Sequence, residues 1–281
     1  MTRDLQFMFS RRHLLNTLFL ASASALGLSA CDQSSEDKTA QNKPELLLYC
    51  GITMVPPLKK MAEAFEANTG IKVIITQGGS QDLYEALKFS QKGDLYLPGS
   101  TAYYDKNKAD GFFTQRAFLG FNRMALVVAK GNPKNLTADL AQLTDTKLSV
   151  ILCDPKSGSV GQATQKLLKK VGLEEAAYKN ATYIATDSRR INEAFKHQEA
   201  DISINWQATT TWEANQPYVQ AIELPDDLAQ PRRLEISGLS FSKHPAEAQQ
   251  FMDFAASAAG LKIMKDYGFF NEAEWQAAHQ K

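Results

Sequence analysis

Short apolar runs that end in glycine, serine or threonine and then continue as helical patterns recur along this chain. The first is ELLLYC at Glu45–Cys50, a nearly continuous apolar run typical of a strand buried on both faces. Gly51 and Thr53 follow it, and Pro56 and Pro57 then begin a pattern with one apolar face. Strands that alternate in this way with helices predict an α/β fold with mostly parallel sheets.

Three further junctions between a strand and a helix repeat this arrangement. The four junctions lie at Gly51–Met54, Gly78–Gln81, Ser157–Gly161 and Asp187–Arg189. Ligands of such sheets bind beyond the carboxyl ends of the strands, where helix starts present unpaired amide hydrogens and the positive end of the dipole. Hydroxyl groups such as those of Thr53 and Ser80 add neutral donors, and small residues let the backbone approach closely. The pattern therefore indicates a site for a small anion held by hydrogen bonds.

The start of the chain has the composition of an export signal. Residues 1–30 combine a basic start, which includes Arg11 and Arg12, with an apolar core that is too short for a comfortable membrane span. The stretch LSAC, which ends at Cys31, resembles the lipobox of bacterial lipoproteins and implies that Cys31 becomes the lipidated first residue. Residues 31–43 are then the lipidated cysteine and a polar tether whose composition predicts disorder. The arginine pair fits a twin-arginine signal and an ordinary basic start equally well.

Charge and cysteine content exclude several classes of protein. The 31 basic and 31 acidic residues leave no formal net charge, and no long basic run occurs, which argues against a nucleic-acid partner. Beyond Cys31 the sequence contains Cys50 and Cys153, each at the end of a strand-like run. The two could pair in an oxidising compartment, but the pattern favours buried free thiols. No cysteine or histidine spacing indicates a metal site, and no cofactor is expected.

The segment from Glu45 to Phe270 resembles the molybdate-binding family of periplasmic substrate-binding proteins of ABC importers. GITM and GGSQ resemble the first two ligand loops of that family, and DPKSGSVGQAT resembles its Asp-Pro segment that leads into a helix. ADISINWQ resembles the segment whose aromatic residue points into the cleft, and DYGF resembles the C-terminal signature. The ligand-binding residues that this resemblance implies are Thr53, Ser80, Ser159, Val160, Ser188, Arg189 and Trp206.

The resemblance also implies how these residues act. Thr53 and Ser80 are expected to donate hydroxyl hydrogen bonds to the ion. Backbone amides around Val160 and Arg189 are expected to face the ion from the other side. Trp206 is expected to wall the cleft, at a position where the family carries tyrosine.

The order of the strands and the resemblance together predict a two-lobed type II periplasmic-binding-protein fold with a central ligand cleft. Residues 44–121 and 236–281 form the first predicted lobe, and residues 122–235 form the second. The resemblance implies a solute-binding lipoprotein that captures a molybdate-like or tungstate-like oxyanion and delivers it to the permease of an ABC importer. It further implies a monomer without catalytic activity, anchored by its lipid at the periplasmic side of the inner membrane.

The protonation state of the ion is a separate question. A cage of donors favours a fully ionised anion, because a protonated one such as hydrogen phosphate needs an acceptor. Two acidic residues near the junctions, Asp82 and Asp154, are interpreted as structural caps. The sequence therefore ranks molybdate, tungstate and sulfate before phosphate.

Other interpretations of the same residues stay open. Trp206 cannot accept a hydrogen bond and Arg189 adds charge, so sulfate, a phosphonate or a small carboxylate is an alternative ligand. SGSVG at Ser157–Gly161 is close to a nucleophile elbow, which would indicate a serine hydrolase. The histidines beyond the signal segment do not follow strands, so the hydrolase is disfavoured; they are His197, His244 and His279. A sensor lipoprotein with the same cleft is a further alternative.

Overall fold

The computed structural model describes residues 43–279, which contain ten strands and nine α-helices. The strands are β1 (Glu45–Gly51), β2 (Lys72–Gly78), β3 (Leu95–Leu97), β4 (Phe113–Asn122), β5 (Met124–Ala129), β6 (Val150–Cys153), β7 (Tyr183–Ala185), β8 (Ile202–Trp206), β9 (Val219–Glu223) and β10 (Arg232–Leu239). The helices are α1 (Val55–Thr69), α2 (Ser80–Ser90), α3 (Ala102–Lys106), α4 (Ser159–Lys170), α5 (Glu174–Asn180), α6 (Ser188–Lys196), α7 (Pro245–Ala256), α8 (Ala258–Asp266) and α9 (Glu272–His279).

The strands form two five-stranded sheets with the same plan. Sheet A has the order β2-β1-β3-β10-β4 and sheet B the order β7-β6-β8-β5-β9. In each sheet the first three strands are parallel, and the remaining two strands pair antiparallel. The predicted α/β class is therefore confirmed, but each sheet is mixed rather than mostly parallel. The antiparallel pairs arise because β5 and β10, the strands in which the chain enters the other sheet, run against the other four strands of sheet B and sheet A respectively.

The chain passes between the sheets twice. The first passage is at Arg123, between β4 and β5, and the second lies between β9 and β10, in residues 224–231. We keep the division into lobes at residues 44–121 with 236–281 and 122–235 as a proposal. The pairing of Arg232 with Asn122 argues for moving the second boundary to a point before Arg232.

The sequence of strand β1 is apolar on both faces because both faces are buried. Leu46, Leu48 and Cys50 are buried in one core of sheet A, whereas Tyr49 points to an aromatic cluster on the other face. This alternation follows from the two-residue period of a strand. The helix α1 that follows has prolines in its first turn and ends at Gly70, whose φ of 71° is the left-handed conformation that favours glycine.

The C-terminal helices pack on sheet A. Phe251 of α7 is fully buried and contacts Phe65 of α1 edge to face, with ring centroids 5.2 Å apart. Met264, Phe269 and Phe270 belong to the same core. Burial of one such side chain contributes about 1.5–3 kcal/mol. The end of the chain therefore returns to the sheet that its beginning forms.

Cys50 and Cys153 are both free and buried, as predicted. Burial raises the pKa of the Cys50 thiol strongly and that of the Cys153 thiol to about 12. Both thiols therefore stay protonated and unreactive at neutral pH. None of the helices in residues 43–279 has the length and apolar character needed to cross a membrane. The predicted signal segment and Cys31 lie outside the described residues.

Candidate functional site

A small cavity lies where the carboxyl ends of three parallel strands of sheet A meet those of two parallel strands of sheet B. The space that the centre of a water-sized sphere can occupy in it is about 20 Å³. This is slightly more than the cavity volume needed to hold one water molecule. Strands β1, β2 and β3 of sheet A lead into it from one side, and β6 and β7 of sheet B from the other. The lining residues are Gly51, Ile52, Thr53, Met54, Gly78, Gly79, Ser80, Gly99, Gly158, Ser159, Val160, Asp187 and Ser188.

Two helices begin at this cavity without a side-chain cap. The N-cap residues of α2 and α4 are Gly79 and Gly158, which have no side chain to accept from the first-turn amides. Ser80, Ser159 and Val160 therefore lie at helix starts whose amide hydrogens point out of the helix. Because the two helices come from different sheets, the positive ends of two dipoles converge on one small space. This arrangement attracts an anion.

Ser80 is held so that its hydroxyl hydrogen is free to donate. Its side chain is buried, and its Oγ accepts a hydrogen bond from the amide of Gly99 at 3.0 Å. The carbonyl of Gly99 in turn accepts from Nδ2 of Asn122 at 3.1 Å, and Tyr96 Oη donates to the Ser80 carbonyl at 2.8 Å. With one lone pair used, the Ser80 hydroxyl keeps its hydrogen for another acceptor.

Two glycines allow the loops of the two sheets to touch. A Cβ atom at Gly79 would lie 2.2 Å from the carbonyl oxygen of Ser157, and one at Gly99 would lie 2.1 Å from Oγ of Ser159. Gly79 has φ −63° and ψ 143°, a conformation open to any residue, so the close approach alone requires glycine there. The loops are therefore in contact across the cleft, as expected of a closed conformation.

The structure brings five of the seven predicted ligand-binding residues together at the cavity. They are Thr53, Ser80, Ser159, Val160 and Ser188. Gly99 is an additional lining residue that the sequence analysis missed. The sequence feature at this position is the PGS turn after β3, and such a turn does not by itself indicate a ligand site.

Arg189 does not take the predicted place. Its backbone amide donates to Oδ1 of Asp187 at 2.8 Å and is thus already hydrogen-bonded, and its side chain is exposed. In this structure the amide is taken up by Asp187, which caps α6 and accepts from its first turn, so its contact with the ion stays a prediction that this hydrogen bond disfavours.

Trp206 also lies away from the cavity. It is 1% exposed and packs in the core of sheet B. Successive side chains of β8 point to opposite faces, and Asn205 is the one that reaches α6, through a 3.0 Å bond from its Nδ2 to the Ser188 carbonyl. Trp206 therefore does not wall the cavity as predicted.

Two carboxyl groups on opposite sides of the cleft interact electrostatically. Asp187 lines the cavity from the sheet B side, and Asp82 lies in the first turn of α2. Burial, and then the negative charge of Asp187, raise the pKa of the Asp82 carboxyl. Asp154, by contrast, uses its Oδ1 to accept from the Lys156 amide in a local turn, at 2.9 Å. The sequence analysis placed Asp187 in one of the four junctions but did not identify its carboxyl group as part of the site.

Nothing in the lining fits hydrolysis. No histidine is among the residues that line the cavity in the described part of the chain. In SGSVG the nucleophile position is that of Ser159, which lines this cavity and has no histidine beside it in the lining to act as a base. A serine nucleophile needs such a base. Within residues 43–279 there is also no cluster of three or more side chains that could hold a metal ion.

Comparison with known proteins identifies the relatives of this chain. The model of a family described as bacterial extracellular solute-binding protein matches residues 46–270. The molybdate-binding protein ModA of Mycobacterium tuberculosis is 25% identical over 261 residues, which cover 91% of this chain and 97% of that protein.

Two solved structures share the fold. The periplasmic molybdate-binding protein of Azotobacter vinelandii aligns with a TM-score of 0.69 and 16% identity, covering 80% of this chain and 99% of that one. The sulfate-binding protein SubI of Mycobacterium tuberculosis aligns with a TM-score of 0.69 and 20% identity, covering 84% and 89%. At these identities the structures establish the two-lobed fold of type II periplasmic binding proteins.

The family match covers nearly all of the described chain, from β1 to the segment after α8, and agrees with the range of the predicted resemblance. Members of this family bind solutes outside the cytoplasm and do not convert them. The chain therefore belongs to the bacterial extracellular solute-binding proteins and is a binding protein rather than an enzyme.

Proposed function

We propose that this protein captures a small tetrahedral oxyanion between its lobes and delivers it to the permease of an ABC importer. Relationship alone points to molybdate and tungstate, because relatives over most of the chain are named as molybdate-binding proteins. The observation that carries the proposal is the small cavity between the uncapped starts of α2 and α4.

The size of the cavity restricts the ligand to a few heavy atoms. An ion enclosed there loses its water, so nearly every oxygen needs a hydrogen-bond donor from the protein. The hydroxyl groups of Thr53, Ser80 and Ser159, together with first-turn amides of α2 and α4, supply donors from both lobes. Charge-assisted hydrogen bonds of this kind are about twice as strong as neutral ones.

A specific observation favours a second group of ligands. The carboxyl group of Asp187 belongs to the lining, and a fully ionised ion has no hydrogen to give it. Phosphate or a phosphonate is therefore the alternative. A carboxylate was an alternative because of the charge of Arg189, but neither Arg189 nor the adjacent Arg190 lines the cavity.

Closure of the lobes is the proposed mechanism of capture. The two passages between the sheets, at Arg123 and in residues 224–231, are the segments about which the lobes would rotate. Closing brings Gly79 and Gly99 against the loop at Ser157–Ser159 and completes the donor cage. The permease would then recognise the closed pair of lobes, and no chemical step is needed.

Calorimetric titration of the mature domain with molybdate, tungstate, sulfate, phosphate and methylphosphonate tests this proposal. We expect at least one of these oxyanions to bind. A free ligand concentration of one hundred times Kd should stabilise the fold by about 2.7 kcal/mol. If none binds, while an uncharged solute does, the oxyanion assignment is wrong.

We further propose that the protein is a lipid-anchored monomer at the periplasmic side of the inner membrane. The basis is LSAC at residues 28–31, followed by a polar stretch. Mass spectrometry of protein purified from membranes should give a mature chain that begins at a lipid-modified Cys31. An intact N-terminus would contradict this, and Cys31→Ser should release the protein from the membrane.

A third prediction concerns the carboxyl groups that face each other across the cleft. Asp82→Asn removes one charge and should tighten anion binding at neutral pH by roughly two- to fivefold, as expected for an exposed charge pair. The pKa of Asp82 is raised in this closed conformation, so closure takes up a proton and is favoured as pH falls. The benefit of the substitution should therefore shrink in acid, where Asp82 of the wild type is already protonated.

Titration calorimetry at neutral and acidic pH measures this effect. Glu85→Gln is the matched control, because Glu85 lies on the same helix and is exposed. Equal affinities of Asp82→Asn and the wild type at neutral pH would show that the carboxyl pair does not oppose closure.

A further inference from the structure

Asp187 is the charged residue in a cavity whose other polar side chains are hydroxyl groups. Its Oδ1 atom caps α6 and accepts from the amides of Arg189 and Arg190, at 2.8 and 3.0 Å. Its Oδ2 atom accepts a long hydrogen bond from the Thr186 hydroxyl, at 3.4 Å. A carboxylate oxygen has two lone pairs, so Oδ2 keeps the capacity to accept another hydrogen bond.

The lining offers no cation to neutralise this charge. Neither lysine nor arginine is among the residues that line the cavity in the described chain. Asp187 raises the pKa of Asp82 across the cleft and also that of the Cys153 thiol, so its charge acts on both sides of the site. The dipole of α6 and the two amides offset only part of it.

The charge of Asp187 affects the binding of two kinds of oxyanion differently. A fully ionised divalent ion meets a like charge in a space with little water, which costs affinity. An oxyanion that carries a hydrogen can instead donate it to Oδ2, while its ionised oxygens accept from Ser80, Ser159 and the helix amides. The same carboxylate thus repels one kind of ion and forms a charge-assisted hydrogen bond with the other.

We propose that Asp187 makes this site selective for oxyanions that carry a hydrogen, such as phosphate or a phosphonate, over fully ionised ones such as sulfate and molybdate. The inference rests on the proposed function, an oxyanion in this cavity, and specifies which members of that class bind. This proposal reverses the ranking of ligands that the sequence suggested. That ranking assumed a site made only of hydrogen-bond donors.

Asp187→Asn tests this with little change of shape. Asparagine caps helices as well as aspartate does, so its carbonyl oxygen can keep the two bonds to the α6 amides. The variant replaces the second oxygen with a donor and removes the charge. At neutral pH all forms of phosphate carry at least one hydrogen, whereas sulfate and molybdate carry none, so one buffer serves for all three.

Calorimetric titrations of the full mature protein with phosphate, sulfate and molybdate give the result. We expect the wild type to prefer phosphate. In Asp187→Asn, phosphate should weaken by about ten- to a hundredfold, and sulfate and molybdate should tighten. Asp154→Asn is the control, because Asp154 also accepts from a backbone amide but does not line the cavity, and its selectivity should equal that of the wild type.

The possible outcomes separate this inference from the proposed function. A wild type that prefers sulfate or molybdate, or an unchanged phosphate-to-sulfate ratio in Asp187→Asn, overturns the inference and leaves Asp187 as a helix cap. If no oxyanion binds to either protein, the proposed function fails, and the inference fails with it. If Asp187→Asn does not fold, Asp187→Ser gives the same comparison, since serine also caps helices and has no charge.

Discussion

Gly79→Ala should abolish tight ligand binding while leaving the fold of the protein intact. The added Cβ would lie 2.2 Å from the carbonyl oxygen of Ser157, on the other side of the cleft. The backbone of residue 79 fixes the position of the Cβ atom and the oxygen belongs to the backbone of Ser157, so neither can turn aside and the lobes must stay apart. The backbone at Gly79, with φ −63° and ψ 143°, accepts alanine without strain. We therefore expect affinity to fall by more than about a hundredfold, which corresponds to about 2.8 kcal/mol.

Thermal unfolding with and without ligand separates closure from folding. Without ligand, Gly79→Ala should unfold at or slightly above the wild-type temperature, because alanine reduces the entropy of the unfolded chain. With ligand, the stabilisation seen in the wild type should be missing. Wild-type affinity in Gly79→Ala would show that the contact between the loops does not belong to the ligand-bound state.

Gly158→Ala is the matched control for this experiment. Gly158 faces Gly79 across the same contact, but a Cβ there would lie 3.6 Å from Gly79 Cα, an ordinary van der Waals distance. Its backbone is extended, with φ −164°, so alanine is tolerated. Because Gly158 also lines the cavity, we expect some loss of affinity, but a much smaller one than in Gly79→Ala. The two variants therefore place the same methyl group on opposite sides of one contact, and only the one at Gly79 prevents the contact.

Ser80→Ala should reduce the affinity for the ion by about ten- to a hundredfold. The lost bond joins a hydroxyl to a charged oxygen, and such bonds contribute about 1.5–3 kcal/mol. The substitution also removes the acceptor of the buried Gly99 amide, so the ligand-free protein should lose about 1 kcal/mol of stability. Calorimetry well below the unfolding temperature measures the affinity of the folded variant alone.

Two control variants test whether the loss of affinity is specific to the hydroxyl group of Ser80. Ser90→Ala removes a hydroxyl from the other end of α2, where Ser90 contacts Tyr49, and should not change affinity. Arg189→Ala should also bind normally, because the amide of Arg189 is bonded to Asp187 and its side chain is exposed. A large loss in Arg189→Ala with none in Ser80→Ala would place the ion against the arginine and contradict the site described above.

The sequence was sufficient for the features that depend on local pattern. The apolar run of β1, the prolines that begin α1 and the glycine that ends it specify that strand and helix through period, capping and backbone conformation. The junctions at Thr53, Ser80 and Ser159 were also recognisable, because each of them joins the end of a predicted strand to the start of a predicted helix. These features depend on residues that are close together in the chain, so they can be recognised from the sequence alone.

The composition of the site was decided by contacts between distant segments. Gly99 follows a three-residue strand, and only the packing of β3 beside β1 brings it to Ser80 and Ser159. Trp206 and Asn205 are adjacent, and which of them faces α6 depends on the pairing of β8 in sheet B, since a shift by one residue exchanges the two faces. Asp187 is a cap by its sequence. It becomes a charge in an anion site only because sheet A and sheet B place Asp82 and Ser80 opposite it, and that is a tertiary contact.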